Sequence, residues 1–217
     1  MKAIGNIYLT WRPGPGTPRI LVGIIKNNAT KGVRFMYLAD GAIEARKLGF
    51  EAYKGFPDVT EVYTKNVLRI FGHRVLCAAV PNIEAYFDFW CINREYKSKP
   101  YYMLAYTQAM LPDDNFEFLA SFNPTKDFSL VSEISGLTKA NLPKGSLTEG
   151  DTLRAVLDPH NPYDKYAVKL FKGDMEIAYV KTVHSRVFYK SKNLQVKVHK
   201  VEQDTKIDRV FIKIEMP

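Results

Sequence analysis

The chain is 217 residues long, 46% hydrophobic and 25% charged, with a formal net charge of +8. That composition excludes a disordered or low-complexity chain, and the length allows one large domain or two small ones, each able to bury its own core. Two cysteines, Cys77 and Cys91, are too few for a disulfide framework and lack the spacing of a metal or redox motif. No stretch reaches the roughly 18 apolar residues of a membrane span, and Met1-Lys2-Ala3-Ile4-Gly5-Asn6 lacks a signal-peptide core, so a soluble, cytoplasmic protein is expected.

In chain order, Ile4 to Thr10 and Arg19 to Lys26 are rich in β-branched and aromatic residues, and Pro13-Gly14-Pro15-Gly16-Thr17-Pro18 between them predicts a hairpin. A third strand follows at Val33 to Leu38. Asp40 is placed to cap a short helix ending near Leu48, with Gly49 as its stop. Thr64 to Val80, Ile83 to Trp90 and Tyr101 to Met110 carry apolar residues at helical spacing. Asn123-Pro124-Thr125-Lys126 reads as a short connection, so the expected domains are 1–125, of α+β class, and 126–217. In the second, Thr152 to Leu157, Ala167 to Phe171 and Ile177 to Val180 are short strands, and Lys181 to Lys190 is the one good helix candidate. Leu194 to Val201 alternates apolar with Lys and His and pairs with Val210 to Ile214. Several strands with one helix predict a mostly β, small, partly open barrel.

Charge distribution narrows the function. From Ile177 to Val201 there are six basic residues (Lys181, Arg186, Lys190, Lys192, Lys197, Lys200) with His184 and His199, no acidic residue, and the interleaved aromatics Tyr179, Phe188 and Tyr189. Cations that neutralise phosphate and rings that stack on bases are the two elements of single-strand recognition. The competing reading is a solvated helix face whose rings point into the core.

The most specific stretch is Asp158-Pro159-His160-Asn161-Pro162-Tyr163-Asp164-Lys165-Tyr166, in which two prolines constrain the backbone and hold Tyr163 and Asp164 at the tip. A plain turn, with Asp164 bonded to its own backbone, is the alternative. Together with Gly136, Glu149-Gly150-Asp151, Gly173 and Ala178-Tyr179-Val180, this loop resembles the HIRAN domain over residues 128–217. The resemblance implies a nucleic-acid-binding barrel, found on DNA-repair helicases and as stand-alone bacterial modules. Some members capture the 3′ end of single-stranded DNA, and their loop tyrosine and aspartate, which pack on the last nucleotide and accept from its hydroxyl, fall on Tyr163 and Asp164. Lys139, Lys165, Lys181, Arg186 and Lys190 are the expected phosphate contacts. End-binding members also carry a basic residue and a tyrosine after the first glycine, where this chain has Leu137-Thr138-Lys139-Ala140, so the second stacking ring is missing.

In the first half, Gly49-Phe50, Phe56-Pro57-Asp58, Asn66-Val67-Leu68 and Tyr102-Met103-Leu104-Ala105-Tyr106 resemble the small N-terminal subdomain of HipA-type toxin kinases, which implies docking on a protein partner. Tyr86-Phe87-Asp88-Phe89-Trp90 puts four aromatics where one helix face cannot hold them all, marking Phe89 and Trp90 as candidate anchors of a protein interface unless they are core.

Catalysis is not expected. His73, His160, His184 and His199 show no metal-ligand spacing, Gly14-Pro15-Gly16 leads into a strand rather than a helix, and adjacent Asp113 and Asp114 cap or turn the chain. The sequence therefore predicts a non-enzymatic, cofactor-free protein that binds nucleic acid, single-stranded DNA first, with a protein-docking N-terminal domain. The rival reading is an antitoxin-type subunit restraining a HipA-like kinase without binding DNA, and a nuclease with an unfamiliar site ranks third.

Overall fold

The computed structural model describes residues 3–75, 82–111 and 114–217, apart from the side chains of Thr138 and Lys139. Cys77, Asp113 and the end of the helical stretch predicted to Val80 lie outside the described residues. The chain forms two compact units, Ile4–Ser121 and Phe122–Pro217, the second joined by Ala3.

In the first unit, β1 (Ile4–Trp11), β2 (Ile20–Asn28) and β3 (Gly32–Tyr37) form an antiparallel meander. The two-residue β4 (Val62–Tyr63) and β5 (Phe116–Phe122) complete a sheet in the order β4-β3-β2-β1-β5. Helix α1 (Ala39–Arg46) follows β3. Asp40 does not cap it: the N-cap is Leu38, with no side-chain cap, and Asp40 lies inside the first turn, where a carboxylate favours the positive end of the helix. Gly49 does terminate the segment, at φ +94. Gly41 lies so close to β2 that an added Cβ would sit 1.9 Å from the Leu21 carbonyl oxygen. Backbone cannot yield as a side chain can, so Gly41→Ala is expected to lower stability by about 1–3 kcal/mol, read as a lower urea midpoint.

Helices α2 (Val67–Gly72), α3 (Ile83–Phe89) and α4 (Pro100–Thr107) complete the unit, α2 and α4 packing on each other. Its core is aromatic. Phe35 and Phe71 meet at 5.1 Å between ring centroids, and Phe71 also touches Phe56 at 4.8 Å, Tyr53 at 4.9 Å and Phe118 at 4.9 Å.

The second unit is a ring of strands, β6 (Ser129–Ser135), β7 (Thr152–Asp158), β8 (Ala167–Lys172), β9 (Met175–Val180), β10 (Gln195–Gln203) and β11 (Ile207–Glu215). All neighbours are antiparallel and the order β10-β11-β6-β9-β8-β7 closes on itself, so the ring is closed rather than partly open. Two seams are short: Ile134 and Ser135 pair with Val180 and Tyr179, and Leu153 and Thr152 with Val196 and Lys197. The pleat sends Leu130, Ile134, Leu153, Leu170, Val196, Val198, Ile212 and Ile214 into the ring, where all are buried. A four-residue helix, α5 (Leu137–Ala140), packs on β9 and β11, which flank β6. The helix predicted over Lys181 to Lys190 is a six-residue 3-10 segment, His184–Tyr189, with buried His184 accepting or donating at Ser132 Oγ across 2.8 Å. Among the described residues no helix is long and apolar enough to cross a membrane.

Candidate nucleic-acid interface

The β7–β8 loop is braced by its own polar side chains. Asn161 Oδ1 accepts from the backbone N–H of Tyr163 (3.0 Å) and Asp164 (3.2 Å), and Asp164 Oδ1 accepts from the N–H of Tyr166 (2.8 Å). The Asp164 carbonyl takes the N–H of Ala167 at 2.9 Å, which starts β8. Short Asn and Asp side chains close such turns because they reach backbone donors two or three residues ahead.

The bracing separates the two tip residues. Tyr163 projects into solvent, 86% exposed. Asp164 is turned inward, its Oδ2 accepting from Thr182 Oγ at 2.9 Å just after β9. The ring is exposed and the carboxylate half-buried, because the loop uses the carboxylate to hold itself and to tie β9 to β8. Two accepted bonds leave part of its capacity open, since a carboxylate has about four acceptor positions.

Around this loop the 3-10 segment supplies Arg186 and Tyr189. Tyr166 and Tyr189 meet edge to face at 5.4 Å, with the Arg186 guanidinium 5.3 Å and the Lys165 ammonium 5.2 Å from the Tyr166 ring centre. Tyr189 donates its phenol proton to the carbonyls of Lys165 (3.3 Å) and Ala167 (3.2 Å). Burial first, and then the charges of Asp164 and Asp158, push that phenol above its ordinary pKa. Beneath the loop, Tyr179 donates to Asp158 Oδ2 at 3.3 Å and lies 5.8 Å from the Lys169 ammonium. Lys165 and Arg186 are thus gathered on Tyr166 beside Tyr189, while Tyr179 and Lys169 meet beneath the loop; the loop motif alone does not single out Tyr189, Tyr179 or Lys169. The repeat of tyrosine three residues after Tyr163 is the sequence signal for Tyr166.

Other predicted contacts lie elsewhere. Lys181 is fully buried with its ammonium 2.9 Å from Glu133 Oε2, and Arg209 holds the other oxygen at 3.0 Å, so Lys181 cannot reach a phosphate. Lys190 donates to the Phe122 carbonyl (2.6 Å) and Asn123 Oδ1 (2.9 Å), and burial, then the Arg186 charge, depress its pKa. It clamps the start of the unit. Lys197 and Lys200 pair with Glu215 (3.7 Å) and Glu149 (3.0 Å) near the start of β7, the opposite end of that strand from the loop. Lys181, Lys197 and Lys200, three of the six cations of the acid-free segment, are therefore neutralised in space by carboxylates distant in sequence. Phe188 is buried as well. The side chain of Lys139 lies outside the described residues, while the N-cap of its helix α5, Gly136, lies beside Tyr179.

In the first unit Trp90 is buried against Phe89, 5.1 Å between centroids, so it is core rather than an exposed anchor; Phe89 is half-buried. Among the described residues no three His, Cys, Asp or Glu side chains converge as a metal site would require.

No protein-family model matches the chain, and no curated protein matches it. Nothing in these comparisons supports the HipA-type resemblance of the first half. Among solved structures, the chain is similar to the HIRAN domain of human HLTF, with 18% identity and a TM-score of 0.31 over 40% of this chain and 74% of that one.

Proposed function

We propose that the second unit is a non-catalytic module that binds single-stranded nucleic acid, DNA first, on the surface formed by the β7–β8 loop, Tyr179 and the 3-10 segment. The observation that carries this reading is Tyr163. A large aromatic side chain that is 86% exposed at the tip of a tightly hydrogen-bonded loop offers its face to a base. Lys165 and Arg186, both against the ring of Tyr166 in the same loop, are the phosphate partners, and the likeness of Asn161-Pro162-Tyr163-Asp164 to the HIRAN loop supports the same use.

The finer reading is capture of a 3′ end. The acceptor positions left on Asp164 welcome a terminal hydroxyl and repel a phosphate, so the loop would discriminate an end from continuing backbone. Fluorescence anisotropy of a labelled oligothymidylate tests both levels. Binding should weaken steeply with salt, and Tyr163→Ala should reduce affinity about tenfold, the loss of one stacking platform. A 3′-phosphorylated oligonucleotide should bind more weakly than its 3′-hydroxyl twin. Equal affinity for the twins removes end capture, and no binding at low salt removes the function.

A further inference from the structure

The antiparallel register places a line of side chains on the outer face of β7, β8 and β9 that begins at the loop. Asp158 pairs with Ala167, Val156 with Lys169 and Arg154 with Phe171, while Lys169 also pairs with Tyr179 and Phe171 with Glu176. These positions alternate with the inward-facing Leu153, Leu170 and Val168, so they share one face. Two cation–ring pairs result. Lys169 stands over Tyr179, and four residues from the loop along β7 the Arg154 guanidinium lies over the Phe171 ring, 4.7 Å from its centre.

The Arg154 pair is unlike an ordinary surface ion pair. Among the described residues its guanidinium reaches no carboxylate; it donates to the Gly173 carbonyl at 3.4 Å and otherwise rests on the ring. Arg154 is exposed and Phe171 only half-buried. A guanidinium lying over a ring is held by it, and its outer face then presents a flat, cationic plate, the one side-chain group able to stack on a base and neutralise a neighbouring phosphate together. At about 3.3 Å per strand residue, this plate lies roughly 13 Å from the loop, within reach of a single strand leaving Tyr163 by a few nucleotides.

We infer that Arg154, seated on Phe171, is a second stacking platform, and that the outer face of β7–β9 carries the single strand away from the loop, past Tyr179 and Lys169. The occupant is single-stranded nucleic acid, and the inference rests on the proposed function of the loop. The Asp158 and Glu176 carboxylates on the same face, 3.9 and 3.6 Å from Lys169, are the groups a phosphate must displace from it.

The test compares labelled oligothymidylates of about four and about ten nucleotides on the full chain, within the range of site sizes for single-strand binders. Arg154→Ala is expected to weaken the longer oligonucleotide about tenfold and the shorter one less than twofold, whereas Tyr163→Ala weakens both. Glu176→Gln, which removes one of the two carboxylates on Lys169, should tighten the longer one. Arg154 lies on an exposed strand position, so its variant tests the idea even where Phe171→Ala fails to fold. Unchanged affinity of Arg154→Ala for the longer oligonucleotide, with Tyr163→Ala still impaired, overturns the second platform and leaves the loop site standing; absence of binding by the unmodified chain overturns both.

Discussion

Lys181→Ala is expected to destabilise the second unit by about 3–5 kcal/mol, the cost of leaving a buried carboxylate without its partner. The ammonium is fully buried on Glu133, and Arg209, at 3.0 Å on the other oxygen, is partly exposed and shared with Glu202 at 3.4 Å. Urea unfolding followed by far-ultraviolet circular dichroism reads the loss. Replacing both partners, as in Lys181→Met with Glu133→Leu, should recover much of it, because two apolar side chains need no desolvated charges. Oligonucleotide binding separates this structural role from a phosphate contact. The fraction of Lys181→Ala that remains folded should keep the salt dependence of the unmodified chain, since a lysine that touches no phosphate releases no counterion. A shallower salt slope would return Lys181 to the binding surface.

The other large effect belongs to the first unit. Phe71 is fully buried and its ring meets Phe35, Tyr53, Phe56 and Phe118, all within 5.1 Å. Truncation to alanine removes all four ring contacts and opens a cavity that rigid aromatic neighbours cannot fill, so a loss of about 3–5 kcal/mol is expected. Phe71→Leu should lose less. Trp11, buried in the same unit 5.6 Å from Phe50, reports the transition by fluorescence. A midpoint for Phe71→Ala equal to that of the unmodified chain would mean that the aromatic cluster repacks freely, contrary to its edge-to-face geometry.

The same contrast between local and distant partners explains what could be read from the sequence. Strands with one wet face declare themselves by alternation: Val196 and Val198 are buried while Lys197 is exposed, as the pattern from Leu194 to Val201 predicts. β6 gave no such signal, because Leu130 to Ile134 are buried on both faces, two of them polar and paired with residues far along the chain. β5 was hidden for the same reason. The helix predicted after β9 shortened to a 3-10 segment where His184 had to meet Ser132 inside the ring.

Local chemistry by itself determined the β-rich second half, the hairpin of β10 and β11, and the turn that lifts Tyr163 to the surface, since each depends on residues within a few positions of one another. Only the tertiary structure decided which charges face solvent. Glu133, Glu149 and Glu215 neutralise Lys181, Lys200 and Lys197 from 48, 51 and 18 residues away. Pairing across the ring likewise seats Arg154 over Phe171. Coulomb attraction and burial act through space, and a linear charge count is blind to any partner that the fold brings in from another strand.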